Sequence, residues 1–322
     1  MKRTLTILIT AMTVTATYGQ ITTTKVASKV EQTDNTPYDS TINFLGKDVY
    51  KYVGQELYLN GIAESLRKYG YKGFSIDYSK SSLTNKSNVY ECCDSYNSKY
   101  DKLTGKYFTV LEVIKHPKAA ESEYLYAKKF YLKLQEKEKK DIVYYEYDSQ
   151  FEHSFPFIVV GFFENQKIQI IGKKFVFTDR ILNVSTGSGI DIITGKPLTI
   201  TTGEKWRCTD LTIEEKYYSL ALVVENLKGE KTTVSYDATF DSRKFAYTSQ
   251  EAETYHKKFG VEIFNLILKG KVKIGMTKEM CELSWGKPKS INETITSGKK
   301  SEQWVYSDNY LYFDNGIVTA MQ

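Results

Sequence analysis

T-G-K-Y-F-T-V-L-E-V (Thr104 to Val113) returns later in the chain as T-G-E-K-W-R-C-T-D-L (Thr202 to Leu211), aligning Phe108 with Trp206, Val110 with Cys208 and Glu112 with Asp210. An earlier pair has the same spacing: Y-V-G-Q-E-L-Y-L (Tyr52 to Leu59) shares its order of apolar, Gly, polar and alternating apolar positions with I-I-G-K-K-F-V-F (Ile170 to Phe177). Leu132 and Leu134 then align with Leu220 and Leu222, Tyr147-Asp148 with Tyr236-Asp237, and Phe155-x-Phe157 with Phe245-x-Tyr247. Each match alone is weak, but matches that keep one order along the chain are the mark of a repeated unit. The pattern predicts a duplicated β module, the first copy over 50–165 and the second over 166–248. The first copy is longer between its opening strand and its Thr-Gly strand, where it carries the polar segment Lys80 to Lys102. A short helical stretch, Ile62 to Tyr69, ends there at Gly70, which suits a left-handed cap.

Each copy offers about five short strands with alternating apolar positions, as in Leu220, Leu222 and Val224, joined by turns such as Lys228-Gly229. A sheet of that size with one apolar face buries it by curling on itself, so two tandem small β-barrels are expected. The spacing resembles the bacterial Src-homology-3-like barrel.

The C-terminal part, 249–322, changes character. Thr248 followed by Glu251 reads as a capping box for a helix whose Ala252, Tyr255 and Phe259 share a face and which stops at Gly260. A second helix carries Ile263, Phe264, Ile267 and Leu268 and stops at Gly270. In G-M-T-K-E-M-C-E-L-S-W-G-K-P, Thr277 is an N-cap, Glu279 sits in the first turn, and Gly286 with Pro288 makes the stop. Three strands follow, Glu302 to Tyr306, Tyr310 to Phe313 and Ile317 to Gln322, the last two joined by the type I′ signal Asn315-Gly316. That turn pairs Phe313 with Val318 and Leu311 with Ala320 against the helices. The other face carries Tyr310, Tyr312, Thr319 and Met321. Tyr310, Tyr312 and Met321 are the candidate binding residues, on a patch either covered by the neighbouring barrel or used for a partner.

I-G-M-T-K-E (Ile274 to Glu279), W-G-K-P (Trp285 to Pro288) and Y-L-Y-F-D-N-G-I-V-T-A (Tyr310 to Ala320) resemble the SmpA/OmlA (BamE-like) outer-membrane assembly family over about 262–322. The resemblance implies a two-helix, three-strand domain that acts by binding other proteins in the bacterial envelope. The whole chain is similar to exported proteins of Bacteroides-type bacteria. The fold class is therefore expected to be mainly β with a small α+β module.

At the start, Lys2 and Arg3 precede an apolar stretch from Leu5 to about Ala16, with Thr17 and Gly19 placed for cleavage before Gln20. Residues 1–19 read as a signal peptide and 20–49 as a linker. The apolar stretch is shorter than the roughly 20 residues that span a bilayer, and nothing later is longer, so a periplasmic or secreted product without a transmembrane segment is expected. A net charge of +5, small against 44 basic and 39 acidic residues, argues against a nucleic-acid partner. Four cysteines are too few for a disulfide framework. Cys208 and Cys281 sit in apolar contexts. Adjacent Cys92 and Cys93 leave three states open: a vicinal disulfide, pairing elsewhere, or two thiols.

Chemistry is sparse. Gly189 to Pro197 misses a phosphate-binding loop in its spacing and in having Pro197 where Ser or Thr would hold magnesium. His116, His153 and His256 have no partner at metal-ligand spacing. Thr186-Gly187-Ser188-Gly189 misses a nucleophile elbow by one position. Cys92 or Cys93 with His116 would need a cation to stabilise the thiolate, and Glu91 and Asp94 flank the pair instead. No catalytic residue and no cofactor is assigned. The 26 tyrosines supply contact surface for proteins or glycans. The expectation is a non-enzymatic exported binding or scaffold protein whose partner is an envelope protein or a glycan. The alternative is a cell-envelope enzyme that hydrolyses peptidoglycan or another glycan.

Overall fold

The computed structural model describes residues 38–80, 85–93, 96–122, 124–181, 189–296 and 299–322; the expected signal peptide at 1–19 and the linker up to residue 37 lie outside the described residues. Three antiparallel sheets follow one another along the chain, so the protein is mainly β. The first has spatial order β2-β5-β4-β3-β1-β6, built from β1 (Glu56–Leu59), β2 (Phe74–Ser75), β3 (Tyr107–Lys115), β4 (Lys129–Glu136), β5 (Ile142–Asp148) and β6 (Phe157–Val159). The second has order β10-β9-β8-β7-β11, from β7 (Lys174–Phe177), β8 (Lys205–Glu214), β9 (Ser219–Glu225), β10 (Lys231–Ser235) and β11 (Ala246–Thr248). Without β2, the two orders are the same: a four-strand meander whose fifth strand returns beside the first.

The duplication extends to single hydrogen bonds. Gly54 and Gly172, at φ 82° and 83°, donate their amides to the carbonyls of Val110 (2.8 Å) and Cys208 (2.9 Å). Leu57 pairs with Phe108 and Val159, as Phe175 pairs with Trp206 and Thr248. The register shifts between Val110 and Glu112 in one copy and between Cys208 and Asp210 in the other, so both long strands bend at the same place.

Two of the aligned anchors are displaced. Val113 pairs with Leu132 and Leu211 with Leu222, so Leu132 corresponds to Leu222 and Leu134 to Val224, two residues beyond the sequence match. A slip of two keeps every side chain on its face and leaves the apolar alternation unchanged. Phe157 corresponds to Ala246, one residue from the expected Tyr247, whose ring turns to the opposite face and joins the third core.

The sheets are open and do not close into the expected barrels; among the described residues no ladder joins β2 to β6 or β10 to β11. Other elements cover the apolar faces instead of curvature. In the first module, Val49 and Tyr52 from a 3-10 helix (Gly46–Tyr52) and Tyr71, Tyr90 and Leu103 from the insertion pack on Phe108, Leu132 and Tyr147. The expected helix in that insertion is a 3-10 helix, Glu64–Tyr69, ending at Gly70 with φ 61°. A one-turn helix α1 (Tyr100–Leu103) leads into β3. In the second module Ile181, Leu198, Ile200 and Ala238 close over Trp206, Leu222 and Val234. The boundary expected at 165–166 falls inside helix α2 (Val160–Ile170), which places Phe162 in the first core and Ile170 in the second.

After the short helix α3 (Tyr236–Phe240) and β11 come α4 (Ser249–Phe259), α5 (Val261–Leu268) and α6 (Lys278–Trp285). Thr248 and Glu251 form the capping box on α4, and Thr277 caps α6. Ala252, Phe264, Ile267, Leu268 and Cys281 pack on Trp304, Leu311, Phe313 and Val318 of the third sheet. That sheet has four strands, one more than expected: β12 (Ser290–Thr296), β13 (Lys299–Val305), β14 (Tyr310–Asp314) and β15 (Ile317–Met321), in sequence order. The additional β12 escapes a reading based on burial because its Ile291 and Ile295 are exposed.

Candidate functional site

The sequence-derived candidates Tyr310, Tyr312 and Met321 do not form one apolar patch. The Asn315-Gly316 turn, at φ 49° and 81°, pairs Phe313 with Val318 as expected. A bulge then pairs Tyr312 with Ala320 and Leu311 with Met321. This exposes Ala320 and moves Met321 off the tyrosine face, because one extra residue in β15 inverts everything beyond it. Tyr312 belongs to a polar ladder: Asn292 Nδ2 donates to Gln303 Oε1 (3.0 Å), Gln303 Nε2 to the Tyr312 hydroxyl (3.0 Å), and that hydroxyl to Gln322 Oε1 (3.2 Å).

The residues weighed for catalysis stay apart. Burial pushes His116 down in pKa, and its ring stacks on Tyr126 at 4.5 Å while Nδ1 accepts from the Lys118 amide. His153 lies in a 3-10 turn beside Phe151, and His256 sits edge-on to Phe264 at 4.8 Å. Cys92 and Cys93 form a vicinal disulfide; burial raises the Cys208 and Cys281 thiols to about 11 and about 12. Gly189 to Pro197 is a turn, bridged between Ile190 and Pro197, in which Asp191 Oδ1 accepts from the Ile193 amide at 2.8 Å. Thr186, Gly187 and Ser188 lie outside the described residues. No group of three metal-ligating side chains occurs among the described residues, and no helix there is long and apolar enough to cross a membrane.

A groove of about 330 Å³ lies where the first module meets the second, lined chiefly by Tyr58, Tyr107, Ile158, Phe163, Glu164 and Ile213. Alternation in β1 sends Leu57 and Leu59 into the core and Tyr58 outward, where it pairs with Tyr107 on one side and Ile158 on the other. The two tyrosine rings are tilted at 5.2 Å, and Tyr107 is 41% exposed. Burial raises the Tyr58 phenol, which keeps it a neutral donor. The Lys137 ammonium lies 5.3 Å from the Tyr107 ring and is ion-paired with Glu56. From α2, Phe163 forms the wall and the exposed Glu164 the rim; Lys167 at the next turn is held by Asp210 at 2.8 Å.

No family model, curated protein or solved structure matches this chain. The repeat itself supplies the comparison. Tyr58, Tyr107 and Ile158 correspond in the second module to Val176, Lys205 and Tyr247, since Val176 pairs with both of the latter. Val176 and Tyr247 are buried in the third core. In the second copy only Lys205 of this row is exposed, whereas in the first Ile158 is buried, Tyr58 half-buried and Tyr107 exposed.

Proposed function

We propose that this chain is an exported, non-enzymatic binding or scaffold protein of the bacterial envelope or exterior, and that it holds a glycan in the Tyr58–Tyr107 groove. The observation that carries this reading is the row of two adjoining phenol rings left open in the first module, with Glu164 at its rim. Flat aromatic faces take up the C–H faces of a sugar, while phenols and a carboxylate exchange hydrogen bonds with its hydroxyls. Glu164 is the carboxylate on the groove among the described residues, whereas glycoside hydrolysis calls on a pair. This favours binding over the hydrolase alternative.

The Src-homology-3-like reading of the modules is supported by their common strand order and by a helical turn between the meander and the returning strand, Glu152–Ser154 in one copy and α3 in the other. The BamE-like reading of the C-terminal part draws on α5, α6 and the β13 to β15 meander, to which β12 is an addition. Export is supported by the charged and apolar pattern of residues 2–16 and by the Cys92–Cys93 disulfide, which suits an oxidising compartment.

Calorimetric titration of the protein with soluble peptidoglycan fragments and neutral oligosaccharides tests the reading. Binding that weakens at least tenfold in Tyr107→Ala supports it. Equal binding by the variant, or release of shorter sugars during the titration, overturns it.

A further inference from the structure

The sheets manage their edges unequally. β2 is two residues long. Asn43 lies along β6 and mimics a strand, its Nδ2 donating to the Phe157 carbonyl (3.0 Å) and its Oδ1 accepting from the Val159 amide (2.8 Å). The Ile192 amide covers the start of β10 by donating to the Lys231 carbonyl (2.9 Å), and β11 is only three residues long. Along β15, Val318 exchanges hydrogen bonds with Gly275 and Met276, both 2.9 Å. β12 differs: it is seven residues long, pairs with β13 on one side, and among the described residues no strand covers its other side. An edge of that length carries a row of backbone donors and acceptors that is a template for another strand.

The sequence of β12 names the strand that fits. S-I-N-E-T-I-T (Ser290 to Thr296) keeps one polar and apolar pattern in both directions about Glu293, with Ile291 matching Ile295, Ser290 set against Thr296 and Asn292 against Thr294. We propose that β12 is the pairing edge for a second copy of this chain, which adds its own β12 antiparallel across a two-fold axis at Glu293 and makes one eight-stranded sheet from two. An isologous contact of this kind must be self-complementary, and this strand is. The axis sets Ile291 opposite Ile295 twice, on the sheet face that carries Trp304 and Leu311, and Asn292 opposite Thr294 twice on the other face. Ile291 is 47% and Ile295 72% exposed in the single chain, so both have apolar surface to bury. The two Glu293 carboxylates meet at the centre, where like charges would repel. Each already lies against a cation, Lys300 Nζ at 2.9 Å, which it shares with Glu302 at 3.1 Å, and both carboxylates raise the pKa of that amine. The centre of the joint is therefore two ion pairs.

Sedimentation velocity on the full folded chain, from about 1 to 200 μM, is the test, with β-sheet content checked by circular dichroism. The expected result is a concentration-dependent dimer whose association weakens at least tenfold in Ile295→Lys. A second variant keeps the proposal exposed if that one unfolds. Glu293→Cys places two thiols opposite each other on the axis, and mild oxidation should give a covalent dimer joined through residue 293. Monomers at every concentration without that cross-link overturn the proposal. So does a dimer unaffected by Ile295→Lys, or an edge that accepts only an unrelated extended peptide.

Discussion

The ring of Tyr218 occupies the space a side chain on Gly61 would need: a Cβ there would lie 1.9 Å from Tyr218 Cε1. Tyr218 sits in the turn between β8 and β9 at φ 56° and reaches into the first module. Asn60 Nδ2 donates to its carbonyl at 2.6 Å, and Arg67 and Tyr100 donate to its hydroxyl at 3.0 and 3.1 Å. Gly61→Ala should therefore expel the ring and cost about 1–3 kcal/mol. Tyr218→Ala removes the same contact, so in urea unfolding the double variant should lose clearly less than the sum of the single losses. Strict additivity would show that the two residues do not act on each other.

Trp206 and its counterpart Phe108 are both fully buried at matching points of the two modules. Trp206→Ala should cost about 3–5 kcal/mol, and Phe108→Ala a similar amount. The Trp206 Nε1 is buried with no hydrogen-bond partner among the described residues, so Trp206→Phe removes an unsatisfied donor along with some volume. That variant should stay within about 1.5 kcal/mol of the parent. An unchanged unfolding midpoint in Trp206→Ala would remove the core role assigned to this position.

Glu302 gives the third sheet a pH dependence. Its buried carboxylate accepts from Lys278 first of all, and also from the Trp304 indole and Lys300, which together outweigh burial and hold its pKa at about 2 against 4.5 for a free glutamate. A depressed folded-state value stabilises the fold above the unfolded pKa and is lost as pH falls from about 4.5 towards 2. Glu302→Gln should be about 1–3 kcal/mol less stable than the parent at pH 7. The two melting curves should converge near pH 2. A gap of constant size across that range would refute the assignment.

Changing both Cys92 and Cys93 to Ser should leave groove binding intact and stability within about 2 kcal/mol, because a disulfide between neighbours closes almost no loop in the unfolded chain. Loss of glycan binding in calorimetry would tie the insertion to the site.

Legibility in the sequence followed distance along the chain. Gly54 and Gly172, Leu57 and Phe175, and the bulge-flanking pairs Val110–Glu112 and Cys208–Asp210 are local signals, and the duplication could be read from them. Closure could not, because whether a sheet curls or is roofed depends on Tyr52, Leu103 or Ile200 arriving from elsewhere. The bulge in β15 adds one residue without altering the apolar pattern enough to announce itself, so Met321 lies on the face opposite to the one alternation predicts. Tyr58 and Tyr107 are marked as outward by alternation alone. What makes a groove of them is the wall supplied by Leu211 and Ile213 of the second module's β8, residues more than a hundred positions away.

Helix α2 closes one copy of the repeat and opens the next, with Phe162 and Ile170 anchored in different cores. An enzyme engineer cutting the chain at 165–166 would give each fragment half a helix and an exposed apolar stump. A cut just after Ile170 leaves the first copy its helix but takes from the second Ile170, the counterpart of Tyr52 and a member of the second core. Neither half can be made whole by division. A further copy, by contrast, could be spliced in from the end of one such helix to the end of the next, lengthening the protein by a unit that arrives with its own junction.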